Sequence, residues 1–196
     1  MSGLIMSIAS VDQVLGKLDS PIWIVTSAAD GKRGGLVSTT VTSISIVSDL
    51  PRVTVGLSKQ HATLPIVEEA GAFALHQIDE KHLDWVWRFG TQSSRDVDKF
   101  EGLEWEADEN GCPVLTEAIA TLHCRVNAFF DIGDRQICLA SVTGGNIQSD
   151  AKALGMHRML ELASEKELGI LSLQLKSDAG KDRVLIEQFG KSHKVS

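Results

Sequence analysis

Residues 34–45 read GGLVSTTVTSIS, and the apolar positions in this stretch do not keep one phase. Val37 and Val41 share one face of an extended chain, whereas Ile44 and Ile46 occupy the other. A strand that changes its buried face midway contains a bulge or sharp bend, the device by which a sheet curls into a small barrel. The stretch also carries six hydroxyls: Ser38, Thr39, Thr40, Thr42, Ser43 and Ser45. On spacing alone two readings stand. One is an edge or barrel strand with threonines on its wet face. The other is a bulged strand whose unpaired main-chain groups and small hydroxyls accept a flat ligand.

The flanking sequence supplies the rest of a sheet. IWIVTSA (22–28) is a strand, and Asp30-Gly31 signals a hairpin into the phase-switching stretch. RVTVGL (52–57) and AFALHQI (72–78) are further strands. Residues 119–130 alternate, with Ala120, Leu122, Cys124, Val126, Ala128 and Phe130 on one face. DIGD (131–134) turns them into RQICLASVTG (135–144), and a short strand is expected around Trp105 before the turn DENG (108–111).

Single helices are expected between these strands. Ser10 and Gln13 have capping-box spacing ahead of Val14, Leu15 and Leu18, and Thr63 is a candidate N-cap for a helix stopped by Gly71. Asp79 and Asp150 are candidate caps for helices carrying Leu83, Val86 and Trp87, and Met156, Met159, Leu160 and Ala163. TQSSRDVDKFEG (91–102) reads as a surface loop, and residues 169–189 as two strands around a glycine-containing loop or as an arm. This rhythm is not βαβ; it predicts a mainly β, antiparallel barrel with flanking helices.

Composition narrows the function. With 196 residues, 43% hydrophobic and 23% charged, the chain matches an ordinary soluble domain with a sizeable core. A formal net charge of −7 argues against nucleic acid as a partner, so any anionic ligand must be held by a local site. No apolar run reaches membrane-span length, and the opening MSGLIMSIAS lacks a basic signal region. Cys112, Cys124 and Cys138 are odd in number and form no CxxC; they read as reduced core thiols, with a Cys124–Cys138 disulfide the alternative. A cytoplasmic location is therefore expected.

Motifs for a phosphate loop, a Rossmann nucleotide fold, a nucleophile elbow and a zinc site are all missing. What remains beside the hydroxyl-rich strand is SKQHAT (58–63). It is either a solvated turn into a helix, or an anion site in which Ser58, Gln60, Thr63 and backbone amides meet phosphate oxygens and Lys59 adds a cation. Joined to the bent strand, the second reading suits a phosphorylated heteroaromatic cofactor.

Five segments in order carry a resemblance: GLVSTTVTSIS, DLPRVTVGLSKQHATLPIVEEAGAFALHQI, RFG with KFEGLEW, GCPVL, and GDRQICLASV. Together they resemble the flavin reductase-like family, the FMN-binding split barrel. That family includes reductase components of two-component flavin monooxygenases and a domain of flavodiiron proteins. The resemblance implies a Greek-key-like barrel over residues 1–149, with residues 150–196 a divergent helix plus strand pair or arm on the same domain or dimer partner.

It also implies a homodimer that binds FMN, or FAD, with Val37, Ser38, Thr39, Thr40, Thr42, Ser43 and His76 near the ring and ribityl chain. Ser58, Lys59, Gln60 and Thr63 would hold the phosphate. NAD(P)H would stack on the flavin and pass hydride to its nitrogen 5, and a monooxygenase or another acceptor protein would take the electrons. No side-chain acid or base is required for such chemistry. Two departures stand out: the family commonly has Asn at His76, and His at Arg135, where some relatives shape nicotinamide access. Lys32 and Arg33 are either a pyridine-nucleotide phosphate contact or a solvated turn. Rival readings are a flavin-binding electron carrier without NAD(P)H oxidation, and a flavin-free binding module.

Overall fold

Asp30 and Gly31 lie at φ 49° and 73°, the left-handed pair that a two-residue hairpin turn needs. They join β1 (Trp23–Ala29) to β2 (Lys32–Ser38) in full antiparallel register, Trp23 opposite Ser38. The structure is a computed structural model describing residues 8–193. Residues 1–7, which include most of the segment read for a secretory signal, lie outside the described residues.

The other strands are β3 (Val41–Ser43), β4 (Arg52–Ser58), β5 (Ala72–Gln77), β6 (Trp105–Ala107), β7 (Pro113–Leu115), β8 (Ala120–Asp131) and β9 (Arg135–Ile147). The helices are α1 (Ile8–Leu15), α2 (Thr63–Ala70), α3 (Leu83–Thr91), α4 (Met156–Leu162) and α5 (Glu165–Ser192). β6 and β7 form a separate hairpin, and the seven remaining strands make one antiparallel sheet in the order β2-β1-β5-β8-β9-β4-β3.

β2 and β3 are consecutive in the chain yet form opposite edges of that sheet. Three residue steps from Ser38 to Val41 span at most roughly 11 Å, so the two edges must come together and the sheet must curl. The phase switch in the sequence is therefore not a bulge inside one strand but a crossing between two. Thr40 fastens the crossing: its hydroxyl accepts from Gly56 N at 3.1 Å and donates to Gly56 O at 3.3 Å. The expected mainly β, curled antiparallel architecture is present.

The sheet buries both faces of β1. Val25 joins an interior cluster with Val55, Leu57, Phe73, Leu75 and Cys138, whereas Ile24 joins a second cluster with Trp85, Phe89, Phe100, Leu115 and Met159 beneath α3 and α4. β8 does not keep the simple alternation expected of it. A register shift between Val126 and Ala128 packs Phe129 inward and leaves Phe130 54% exposed, and Thr121, on the face opposite Leu122 and Cys124, is buried as well. All three cysteines are buried and free.

Other local expectations are corrected. α1 spans Ile8–Leu15, so Ser10 lies within the helix rather than ahead of it, and Val14, Leu15 and Leu18 are exposed. α2 has Ala62, not Thr63, at its N-cap and ends at the left-handed Gly71 as expected. Asp79 caps the short 3-10 turn Glu80–His82, whereas α4 is preceded by Gly155 rather than capped by Asp150. Residues 91–102 are no mere surface loop, since Lys99 and Phe100 are buried. The segment 169–189, read as two strands, belongs to the single helix α5, started by the Ser164–Glu167 capping box. Among the described residues no helix is long and apolar enough to cross a membrane.

Candidate functional site

The crossing after β2, the start of α2, helix α3 with its following loop, and helices α4 and α5 enclose a cavity of about 510 Å³. Val37 enters it from the end of β2 and Thr39 from the crossing, Gln60 and His61 from the turn into α2, and Thr63 from the first residue of that helix. α3 contributes Trp87 and Phe89, while Met156, Leu171 and Leu175 supply an apolar wall. A side chain at Gly35 would meet the Phe89 ring at 2.6 Å, so glycine there is what lets α3 lie against β2.

Lys99 brings a cation to this wall. Its Nζ donates to Gly35 O and to Phe89 O, each at 2.8 Å, and an ammonium has a third donor beyond these two. Burial pushes its pKa down to about 8. Burial first, and Lys99 second, lower the pKa of His61, which favours a neutral imidazole.

Four buried polar atoms around the cavity have no hydrogen-bond partner: Gln60 Oε1, His61 Nδ1, Trp87 Nε1 and Ser94 Oγ. Leaving such atoms unpaired costs about 1–3 kcal/mol each. An apolar cavity with a few convergent polar atoms is the form of a small-molecule site. Among the described residues no group of three or more His, Cys, Asp or Glu is placed to hold a metal.

The residues predicted from sequence divide. Val37, Thr39, Gln60 and Thr63 line the cavity. Ser38 and Thr40 lie beside it, their hydroxyls 3.1 Å apart and serving the crossing. Thr42 and Ser43 are exposed on β3, away from the cavity. Ser58 is buried and its hydroxyl accepts from Gln60 N at 3.3 Å; Lys59 is paired with Asp131 at 2.8 Å.

His76 is not brought to the cavity. It is fully buried in the sheet, with Nδ1 3.1 Å from Ile24 O and Nε2 accepting from Leu115 N at 3.1 Å. Arg135 is engaged by Asp134 at 2.6 Å and Asp182 at 3.4 Å. Arg33 forms an ion pair with Asp98 and lies over the Trp105 ring at 5.0 Å. His61, Trp87, Ser94 and Lys99 were missed; the Ser-Ser-Arg and Asp-Lys-Phe runs within 91–102 were the available signal.

The Flavin reductase like domain family matches residues 15–160. The chain belongs to this family. This flavin reductase-like chain is 30% identical over 146 residues to a flavin reductase of Pseudomonas putida, covering 74% of this chain and 83% of that one. It is 28% identical over 140 residues to a ferric-chelate reductase (NAD(P)H) of Archaeoglobus fulgidus, covering 70% and 82%. Its fold matches that of nitrilotriacetate monooxygenase component B from Mycobacterium thermoresistibile with a TM-score of 0.65 at 23% identity, covering 80% and 92%.

The cavity of the flavin reductase-like chain fits a flavin on its own chemistry. The ring system is planar and largely apolar, with donors and acceptors along one edge. Trp87, Phe89 and Val37 offer faces for it, and the unpaired atoms of Gln60, His61, Trp87 and Ser94 offer partners for its polar edge.

Proposed function

We propose that this chain is an NAD(P)H-dependent flavin reductase that binds FMN in the cavity beside the β2–β3 crossing. The observation that carries the reading is the convergence of four unpartnered buried polar atoms and the buried Lys99 on one apolar cavity, in a chain of this family. When bound, the flavin supplies the ring that takes hydride from the nicotinamide and passes electrons on. The chain's own part is to bind and orient. Val37, Trp87 and Phe89 flank the ring and exclude water, which strengthens every polar contact inside. Lys99 holds positive charge at the wall, favouring a ligand that becomes anionic on reduction. Ser58, Lys59, Gln60 and Thr63 are proposed as the phosphate corner.

The chain is further proposed to be a cytoplasmic homodimer whose reduced flavin serves a separate monooxygenase. Three free buried cysteines suit a reducing compartment, and the family relatives include named reductase components.

Flavin fluorescence titration and NADH or NADPH consumption test the reading. The parent protein should bind FMN and consume one of the two nucleotides. Lys99→Met, which keeps the apolar stem but removes the ammonium, should weaken FMN binding roughly 10- to 100-fold, the scale of a lost hydrogen bond to a charged group. A parent that ignores FMN would end the proposal, and a Lys99→Met protein with parental affinity would remove Lys99 from it.

A further inference from the structure

The family match ends at residue 160, yet α5, which begins at Glu165, walls the cavity with Leu171, Gln174, Leu175, Asp178 and Lys181. One turn beyond Asp178, Asp182 reaches the corner proposed above for the flavin phosphate. Its Oδ1 accepts from Gln60 Nε2 at 2.5 Å, and its Oδ2 lies 3.4 Å from Arg135 Nη2. The Asp182 side chain is only 15% exposed.

We propose that Asp182 is an internal counter-anion that a flavin phosphate must displace, and so sets how strongly the site discriminates phosphorylated from unphosphorylated flavin. The inference rests on the flavin reading above. The cations at this corner are already paired: Lys59 with Asp131, Arg135 with Asp134 and Asp182, and Lys181 with Asp178. A phosphate brought in beside these carboxylates meets like charge, which costs affinity unless one carboxylate leaves.

Asp131 and Asp134 are fixed in the β8–β9 turn. Asp131 Oδ1 also accepts from Gly133 N at 2.8 Å, and Asp134 O accepts from Lys59 N at 3.0 Å. Asp182 stands on a helix with no buried residue. α5 is seated by Gln174 Nε2 donating to Gly90 O at 3.1 Å and by the close approach of Leu185 and Phe189 to Gly133. Asp178 and Asp182 both stand on α5, and of these two Asp182 is the one whose carboxylate meets Gln60 and Arg135 at the corner. Riboflavin, lacking the phosphate, makes no such demand.

Parent, Asp182→Asn and Asp182→Glu proteins, each checked by thermal melting, are titrated with FMN and with riboflavin and read by flavin fluorescence. Asp182→Asn is expected to bind FMN at least about tenfold tighter, the change that 1.4 kcal/mol makes, with riboflavin affinity unchanged. Asp182→Glu, which keeps the charge, is expected to retain the parental ratio of the two affinities. An Asp182→Asn protein with the parental FMN-to-riboflavin ratio overturns the inference while leaving the flavin reading in place. So does an equal gain or loss for both flavins, which would report a structural role. If none of the three proteins binds either flavin, the flavin reading falls and this inference with it.

Discussion

His76 has both ring nitrogens engaged by main chain, Nδ1 with Ile24 O and Nε2 with Leu115 N. Nε2 accepts, so the ring is neutral, and full burial pushes its pKa down to about 4. The ordinary value is near 6.5, so as pH falls the unfolded chain takes up this proton first. The contribution to stability is therefore complete above about pH 6.5 and is lost progressively down to about pH 4, amounting to roughly 3 kcal/mol. Urea unfolding of the parent and of His76→Asn between about pH 7 and pH 5 checks this. The parent should lose more stability over that interval than the variant; equal losses would show that His76 does not govern the acid limb. A lone histidine on a strand gave no means of telling such a brace from a ligand contact, because its partners lie 52 and 39 residues away in the chain.

At the scale of elements, the crossing between β2 and β3 depends on one hydroxyl. Thr40→Val keeps the shape of the side chain but leaves the Gly56 amide without its acceptor. The expected loss of stability is about 1–3 kcal/mol, read from denaturant midpoints, whereas Thr42→Val on the exposed β3 should stay within about 0.5 kcal/mol. Equal effects would mean that Thr40 is an ordinary surface threonine.

The two-residue period made β1, β2, β4, β5 and the β8–β9 hairpin legible, and the broken phase at residues 37–46 marked a discontinuity. That the break carries the chain from one sheet edge to the other was not legible, since only the pairing of distant strands decides it. α5 was missed because Leu171, Leu173 and Leu175 alternate like a strand. The longer series Leu171, Gln174, Leu175, Asp178, Asp182, Leu185 and Phe189 has helical spacing, and α5 turns residues from this series to the cavity and the β8–β9 turn. The cavity was half legible: its β2 and α2 residues came from hydroxyls and polar spacing. Trp87 read only as part of an apolar helix face, and Ser94 and Lys99 lie in a loop marked by nothing beyond its Ser-Ser-Arg and Asp-Lys-Phe runs.

For the whole molecule, the exposed apolar side chains set an expectation about assembly. Ile46 is fully exposed, and Leu50 and Ile147 are 66% and 77% exposed. The proposed homodimer should cover them. Light scattering should give twice the chain mass for the parent, and Ile46→Asp combined with Leu50→Asp should shift the protein toward monomer; a monomeric parent would refute the dimer.

The strand order has a consequence for how the molecule is made. β8 and β9 stand between β5 and β4, and both come late in the chain. Until that hairpin emerges, β5 and β4 each present a bare edge to the other. The β8–β9 hairpin is thus the keystone of the barrel. A ribosome stalled before residue 120 would hold two incomplete arcs with open seams, and closure waits for the last strand to be synthesised.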